Sequence, residues 1–193
     1  MLTKINTGIF GGSFNPFHNG HLTIAKSVME NYMVDELWLM VTPLNPWKKE
    51  QNLLPNQKRL SMVSQAITGL KNSKVSDFEF QLPIPSFTAN TLKELTKNYT
   101  DRRFTLIIGA DNWSEFDKWQ DYEFIQNNFD IILFPRSGYP IHKVTERTRL
   151  LDSPMIDVSS SIIIKRLKKG LPIDMMVPKS VADTIYNESL FKD

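Results

Sequence analysis

No cysteine occurs among the 193 residues. Its absence excludes a disulfide framework, a thiolate metal site and a cysteine nucleophile, and fits a reducing compartment. There is no run of 18 apolar residues either, so no segment is read as a membrane span and no membrane partner is expected. Met1, Leu2, Thr3 and Lys4 lead straight into a strand-like pattern without a long apolar core, so no signal peptide is expected and the chain is read as cytoplasmic. An excess of one charge is also missing. The 23 Lys and Arg against 21 Asp and Glu leave a formal +2, too little to point to a nucleic-acid partner. Repeats, low-complexity tracts and clear linkers are absent as well.

The remainder is ordinary globular composition, 41% hydrophobic and 23% charged, in a chain long enough to bury a real core. Residues 1–193 are therefore read as a single domain. Along the chain, apolar runs alternate with helical patterns. Strands are expected at 4–10, 36–42, 74–80, 104–109, 129–134 and 155–158, and helices at 20–32, 55–70, 88–99, 111–127, 160–169 and 178–190. Runs such as Leu37-Trp38-Leu39-Met40-Val41 are nearly continuously apolar, as strands buried on both faces should be. The alternation predicts an α/β fold: a doubly wound, mostly parallel sheet with helices on both faces and ligands at the carboxyl ends of its strands. Residues 43–55, with prolines, lysines and Trp47, read as a long loop just past one such end.

One stretch carries most of the chemistry: Gly11-Gly12-Ser13-Phe14-Asn15-Pro16-Phe17-His18-Asn19-Gly20-His21. It joins an expected strand to an expected helix. Unpaired N–H groups at a helix start point outward and favour anions, so a strand, a glycine-bearing turn and a helix start form a phosphate cradle. His18 and His21, at i and i+3, fall on one helical face within reach of one ligand. Zinc is the competing reading, but two histidines supply only two ligands and no third is evident nearby.

The stretch matches without a gap the signature Gly-Gly-(Ser/Thr)-Phe-(Asp/Asn)-Pro-x-His-x-Gly-His, and related motifs recur to about residue 185. The chain thereby resembles the bacterial nicotinate-mononucleotide adenylyltransferases, nucleotidyltransferases with a Rossmann-like core. The resemblance implies adenylyl transfer from ATP to nicotinate mononucleotide, giving nicotinate adenine dinucleotide and pyrophosphate, a step toward NAD. Other phosphate acceptors, nicotinamide mononucleotide or phosphopantetheine, and a nucleotide-binding regulatory protein are the alternatives. A phosphate monoester has a second pKa of about 6, so the nucleophile is already ionised and no general base is needed. Catalysis then reduces to aligning two anions and neutralising charge on the reacting phosphoryl and its leaving group.

By this resemblance His18, His21 and Lys48 contact the ATP phosphates, with Lys48 reaching in from the 43–55 loop. Gly11, Gly12 and Gly20 let the backbone approach the ligand, Ser13 belongs to the same cradle, and Phe14 packs beneath. Magnesium is implied by the polyphosphate. No carboxylate cluster is evident to bind it, so phosphates and water would hold it.

Gly109-Ala110-Asp111-Asn112 follows an expected strand. There Asp111 is placed to accept from ribose hydroxyls, with Gly109 clearing space; capping of the next helix is the other reading. Ser86-Phe87-Thr88-Ala89-Asn90-Thr91 and Trp119 resemble the nicotinate-selecting elements, Thr88 donating to the carboxylate and Trp119 stacking on the ring. Phe87 and Asn90 depart from the family's tyrosine and aspartate. Val158-Ser159-Ser160-Ser161-Ile162-Ile163-Ile164 resembles a box in which a helix start and its hydroxyls, here Ser159, Ser160 and Ser161, grip ATP phosphates. Plain N-capping is compatible with that. The box's arginine falls on Ile164, and Lys165 and Arg166 point elsewhere around a helix. Arg136, in a turn after another strand, is read either as a contact to a substrate phosphate or as a solvated arginine. Arg147 and Arg149 are read as a solvated face or the edge of a homo-oligomer.

Overall fold

The computed structural model describes residues 3–31, 33–44, 53–142, 144–155 and 157–192. Six strands, β1 (Ile5–Gly12), β2 (Glu36–Val41), β3 (Ser73–Ser76), β4 (Arg102–Gly109), β5 (Asp130–Phe134) and β6 (Thr148–Leu150), form one sheet in the order β3-β2-β1-β4-β5-β6. Every neighbouring pair is parallel. The order reverses between β1 and β4, which makes their carboxyl ends the switch point where such sheets bind ligands. Gly11 and Gly12 end β1, and Gly109 ends β4.

Alternation within the strands explains the apolar runs. In β2, Leu37, Leu39 and Val41 join one core with Phe10, Ile107 and Ile132, whereas Trp38 and Met40 join a second with Ile9, Leu106 and Ile108. Successive side chains point to opposite faces, so burial of both faces requires apolar residues at every position. Helices α1 (Asn19–Glu30) and α2 (Asn56–Ala66) cover the first face through Ile24, Val28 and Val63. Over the second lie α3 (Thr88–Asn98) and, beyond the one-turn α4 (Ala110–Trp113), α5 (Tyr122–Asn128), through Leu92, Leu95 and Ile125. A third cluster packs Met62 of α2 against α6 (Ser160–Lys168) and α7 (Lys179–Asn187). Complete burial of Leu92 or Leu95 contributes about 1.5–3 kcal/mol each.

Three expectations are corrected. The sixth strand is Thr148–Leu150, not 155–158: Ile131 N donates to Arg147 O at 2.9 Å and Leu151 N to Leu133 O at 2.8 Å. An edge strand needs only backbone partners, so a polar Thr-Arg-Leu serves, while Met155 is left exposed. The helix expected over 111–127 is broken into α4, a 3₁₀ turn at Phe116–Lys118, and α5, with Asp121 in the left-handed region at φ 53°. The strand expected over 74–80 stops at Ser76, and Phe78–Gln81 is a 3₁₀ turn.

Candidate functional site

At the N-terminus of α1 the two motif histidines cap each other. His18 N donates to His21 Nδ1 at 3.2 Å, and His21 N donates to His18 Nδ1 at 3.4 Å. This is the reciprocal geometry of a capping box, built here from two imidazoles. Because each Nδ1 accepts, each neutral ring carries its proton on Nε2. A second proton, on Nδ1, would break the cap. The rings stack with centroids 3.6 Å apart, and His21 meets the edge of Phe14 at 4.9 Å. Gly20 leaves room beside the stack, since a Cβ there would press on the His18 ring at 3.1 Å.

Two pockets meet above this turn, sharing Gly11 and Gly12. The outer one encloses about 570 Å³, within the size range of small-molecule sites. It brings together Ser13, Phe14, Gly20 and His21 with Asp111 and Arg136 and, from the start of α6, Ser160 and Ser161. Gly11 has nothing within 4 Å of a notional Cβ, so the backbone lies open to a ligand there. Gly12 instead makes room for Phe14, whose ring would be 2.8 Å from a Cβ. Behind His21, His18 is buried at 3% exposure and lines neither pocket. Ser159 caps α6, its Oγ accepting from Ile162 N at 3.3 Å, and faces a neighbouring hollow. Ser160 Oγ donates to Pro16 O at 3.0 Å, which ties α6 to the cradle.

Asp111 does not cap α4, whose N-cap is Gly109 without any side-chain bond. Its Oδ1 is buried with no hydrogen-bond partner among the described residues, and its Oδ2 lies 3.7 Å from Arg136 Nε. A Cβ on Gly109 would stand 2.3 Å from that Oδ1. Ile164 also lines the outer pocket, whereas Arg166 turns away to donate to Pro172 O at 3.0 Å and Lys165 lines neither pocket. Arg136 is thus the only lysine or arginine among the described residues lining the outer pocket. Lys48 lies outside the described residues.

The inner pocket, about 110 Å³, lies between β1, β4 and the start of α3. Thr88, Phe87 and Trp119 line it with Gly11, Gly12 and Gly109. The break in the predicted 111–127 helix is what turns Trp119 here, and its ring packs on buried Phe116 at 5.4 Å.

Sequence reasoning missed Glu79, which also lines the inner pocket and is buried at 6% exposure. Thr91 Oγ1 donates to its Oε1 at 2.9 Å, while Oε2 and the buried Ser86 Oγ make no hydrogen bond among the described residues. Burial pushes this carboxyl above the usual range, against opposing influences of the Thr91, Thr42 and Ser86 hydroxyls. It also missed Arg59. The available signal was periodicity, since Arg59 shares the inward face of α2 with Met62 and Val63 at i+3 and i+4.

The arrangement suits a polyphosphate in the outer pocket and an aromatic acceptor in the inner one. Residues 9–166 match the cytidylyltransferase-like family model. The chain is 42% identical over 190 residues to a probable nicotinate-nucleotide adenylyltransferase of Bacteroides fragilis, covering 97% of this chain and 94% of that one. To a protein of the same name from Flavobacterium johnsoniae it is 39% identical, covering 96% and 98%. Among solved structures, a Plasmodium falciparum nicotinic acid mononucleotide adenylyltransferase complexed with NaAD superposes with a TM-score of 0.83 over 97% of both chains at 20% identity, which supports the fold. With relatives of that identity matched over nearly its whole length, the chain belongs to the nicotinate-nucleotide adenylyltransferases, within the cytidylyltransferase-like family.

Proposed function

We infer that this chain transfers the adenylyl group of ATP to nicotinate mononucleotide, releasing pyrophosphate and nicotinate adenine dinucleotide. The observation that carries the reading is the meeting of two unlike pockets at Gly11 and Gly12: one lined by His21, Arg136 and the α6 serines, the other by Thr88 and Trp119. An oxygen of the mononucleotide phosphate attacks the α-phosphorus of ATP, the bond from that phosphorus to the bridging oxygen breaks, and pyrophosphate leaves with the electron pair. The nucleophile is already anionic, so the chain needs to align and neutralise rather than to remove a proton.

In this reading His21 donates from Nε2 to the phosphates, and His18 holds that ring in place through the reciprocal cap. The N-terminus of α6, with Ser160 and Ser161, donates to anionic oxygen through its free amides. Arg136 adds charge on the same wall, and Asp111 Oδ1 takes a ribose hydroxyl. Lys48 keeps the phosphate-contacting role that the family resemblance implies. Trp119 and Thr88 offer a ring face and a donor to the pyridine carboxylate. Among the described residues no group of three or more His, Asp or Glu could hold a metal. In this reading magnesium is carried by the polyphosphate, where it would neutralise leaving-group charge; among the described residues lining the outer pocket, Asp111 is the only carboxylate. Pyrophosphate release assayed with ATP and each candidate mononucleotide tests the reading: dependence on the nicotinate form supports it, and release without any acceptor opposes it.

A further inference from the structure

Arg59 in α2 is fully buried, with 0% exposure. All five of its N–H donors are used. Nε donates to Leu54 O at 3.0 Å, Nη1 to Ser13 O at 2.6 Å and Thr42 O at 2.7 Å, and Nη2 to Pro43 O at 3.2 Å and Asn56 Oδ1 at 2.6 Å. These acceptors belong to three separate segments: the cradle after β1, the exit of β2, and the entry to α2. One planar guanidinium therefore fixes the relative position of all three.

The acceptors are four carbonyls and one amide, and every one is neutral. No carboxylate pairs with Arg59 among the described residues. Such a burial is costly even when every donor is satisfied, because hydrogen bonds to neutral groups do not cancel the charge. Desolvation accordingly pulls its pKa down. The position of the charge is the telling feature. Ser13, gripped from behind at 2.6 Å, lines the outer pocket beside His21 and Arg136. A polyanion in that pocket would face this charge, which no carboxylate among the described residues balances, across a single residue and through protein of low polarity.

We propose that Arg59 is a positioning residue of the polyphosphate site, holding the cradle through Ser13 and Thr42 and lending it a positive charge whose counter-ion is the bound substrate. The identity of the polyanion rests on the adenylyl-transfer reading, but the charge argument needs only a polyphosphate. Of the five acceptors only Asn56 is a side chain, and it offers a test that leaves the tie intact. Asn56→Asp keeps the bond to Nη2 and places a counter-charge against the guanidinium inside the protein.

Calorimetric titration of the folded wild type and Asn56→Asp with ATP, with pyrophosphate and with adenosine reads the effect. The variant should bind ATP and pyrophosphate about three- to tenfold more weakly. Its adenosine affinity should stay within about twofold, and its melting temperature should rise. ATP and pyrophosphate affinities that remain those of the wild type would overturn the charge role and leave Arg59 as a neutral staple in effect. A second variant, Arg59→Lys, keeps the charge and loses the fork. It should lower kcat at least about tenfold while leaving ATP affinity within about threefold. A folded Arg59→Lys enzyme with wild-type kcat would overturn the positioning role; if it fails to fold, Asn56→Asp decides alone. Loss of pyrophosphate binding in Asn56→Asp upholds the proposal even if wild type shows no adenylyl transfer. Normal turnover with unchanged binding in Asn56→Asp overturns it while the function stands.

Discussion

His18 and His21 are alike in the sequence and unlike in the molecule. Each Nδ1 serves the reciprocal cap, but His21 lines the outer pocket whereas His18 is 3% exposed beneath it. His21→Ala should therefore lower kcat by about 2–4 kcal/mol in barrier terms with a small change in the KM for ATP. Each substitution loses one bond of the cap, but His18 is the N-cap residue and its ring is buried, so His18→Ala should lower kcat as well and be the less stable of the two by about 1 kcal/mol. Steady-state kinetics beside urea unfolding separates the two, and equal stability of both variants would contradict the division. The motif could show that both rings share a helical face, but not that one would cover the other. That follows from their stacking beside Gly20.

Ile164 shows the opposite case, a departure visible in sequence whose consequence needed coordinates. It lines the outer pocket with Arg136, while Arg166 is turned to Pro172. Ile164→Arg should tighten ATP binding several-fold by adding a donor fork beside the α6 amides. Unchanged ATP affinity would mean that Arg136 already supplies that contact.

At the scale of elements, periodicity served well where both sheet faces are buried and poorly where they are not. The β2 run was legible because every side chain from Leu37 to Val41 is enclosed. The β6 strand was not, because backbone pairing at an edge leaves no apolar pattern to read. Breaks in the 111–127 segment escaped for another reason. Asp121 in a left-handed conformation ends one element and begins the next, and no glycine or proline marks the place.

The 3₁₀ turn at Phe78–Gln81 and α3 are joined through Glu79 and Thr91. Because burial raises the Glu79 pKa above its unfolded value, the protonated form is favoured in the folded state. Stability from that proton is fully present below the unfolded carboxylate pKa and is lost as pH rises through the folded one. Glu79→Gln lacks this titration. Urea unfolding from about pH 4 to pH 7 should show the variant gaining on the wild type as pH rises. Parallel profiles would contradict a raised pKa.

For the molecule as a whole, strand–helix alternation was enough to give a parallel sheet covered on both faces, and the glycine-histidine stretch marked the end of the sheet where the two pockets meet. The strand order β3-β2-β1-β4-β5-β6 then explains why Gly11 and Gly109, nearly one hundred residues apart in sequence, frame one site. Glu79 and Arg59 were not legible, since a charged residue in a helix or turn reads as solvated until its neighbours are known. Arg59 is buried against the β2 exit behind the outer pocket's wall, and Glu79 is buried within the wall of the inner pocket.

Initial-rate measurement of pyrophosphate release, with ATP alone and with nicotinate or nicotinamide mononucleotide added, tests the two-pocket account most directly. Release that requires an acceptor, runs fastest with the nicotinate form and collapses in His21→Ala is the predicted result. Release that is indifferent to the acceptor, or that persists undiminished in His21→Ala, would contradict it.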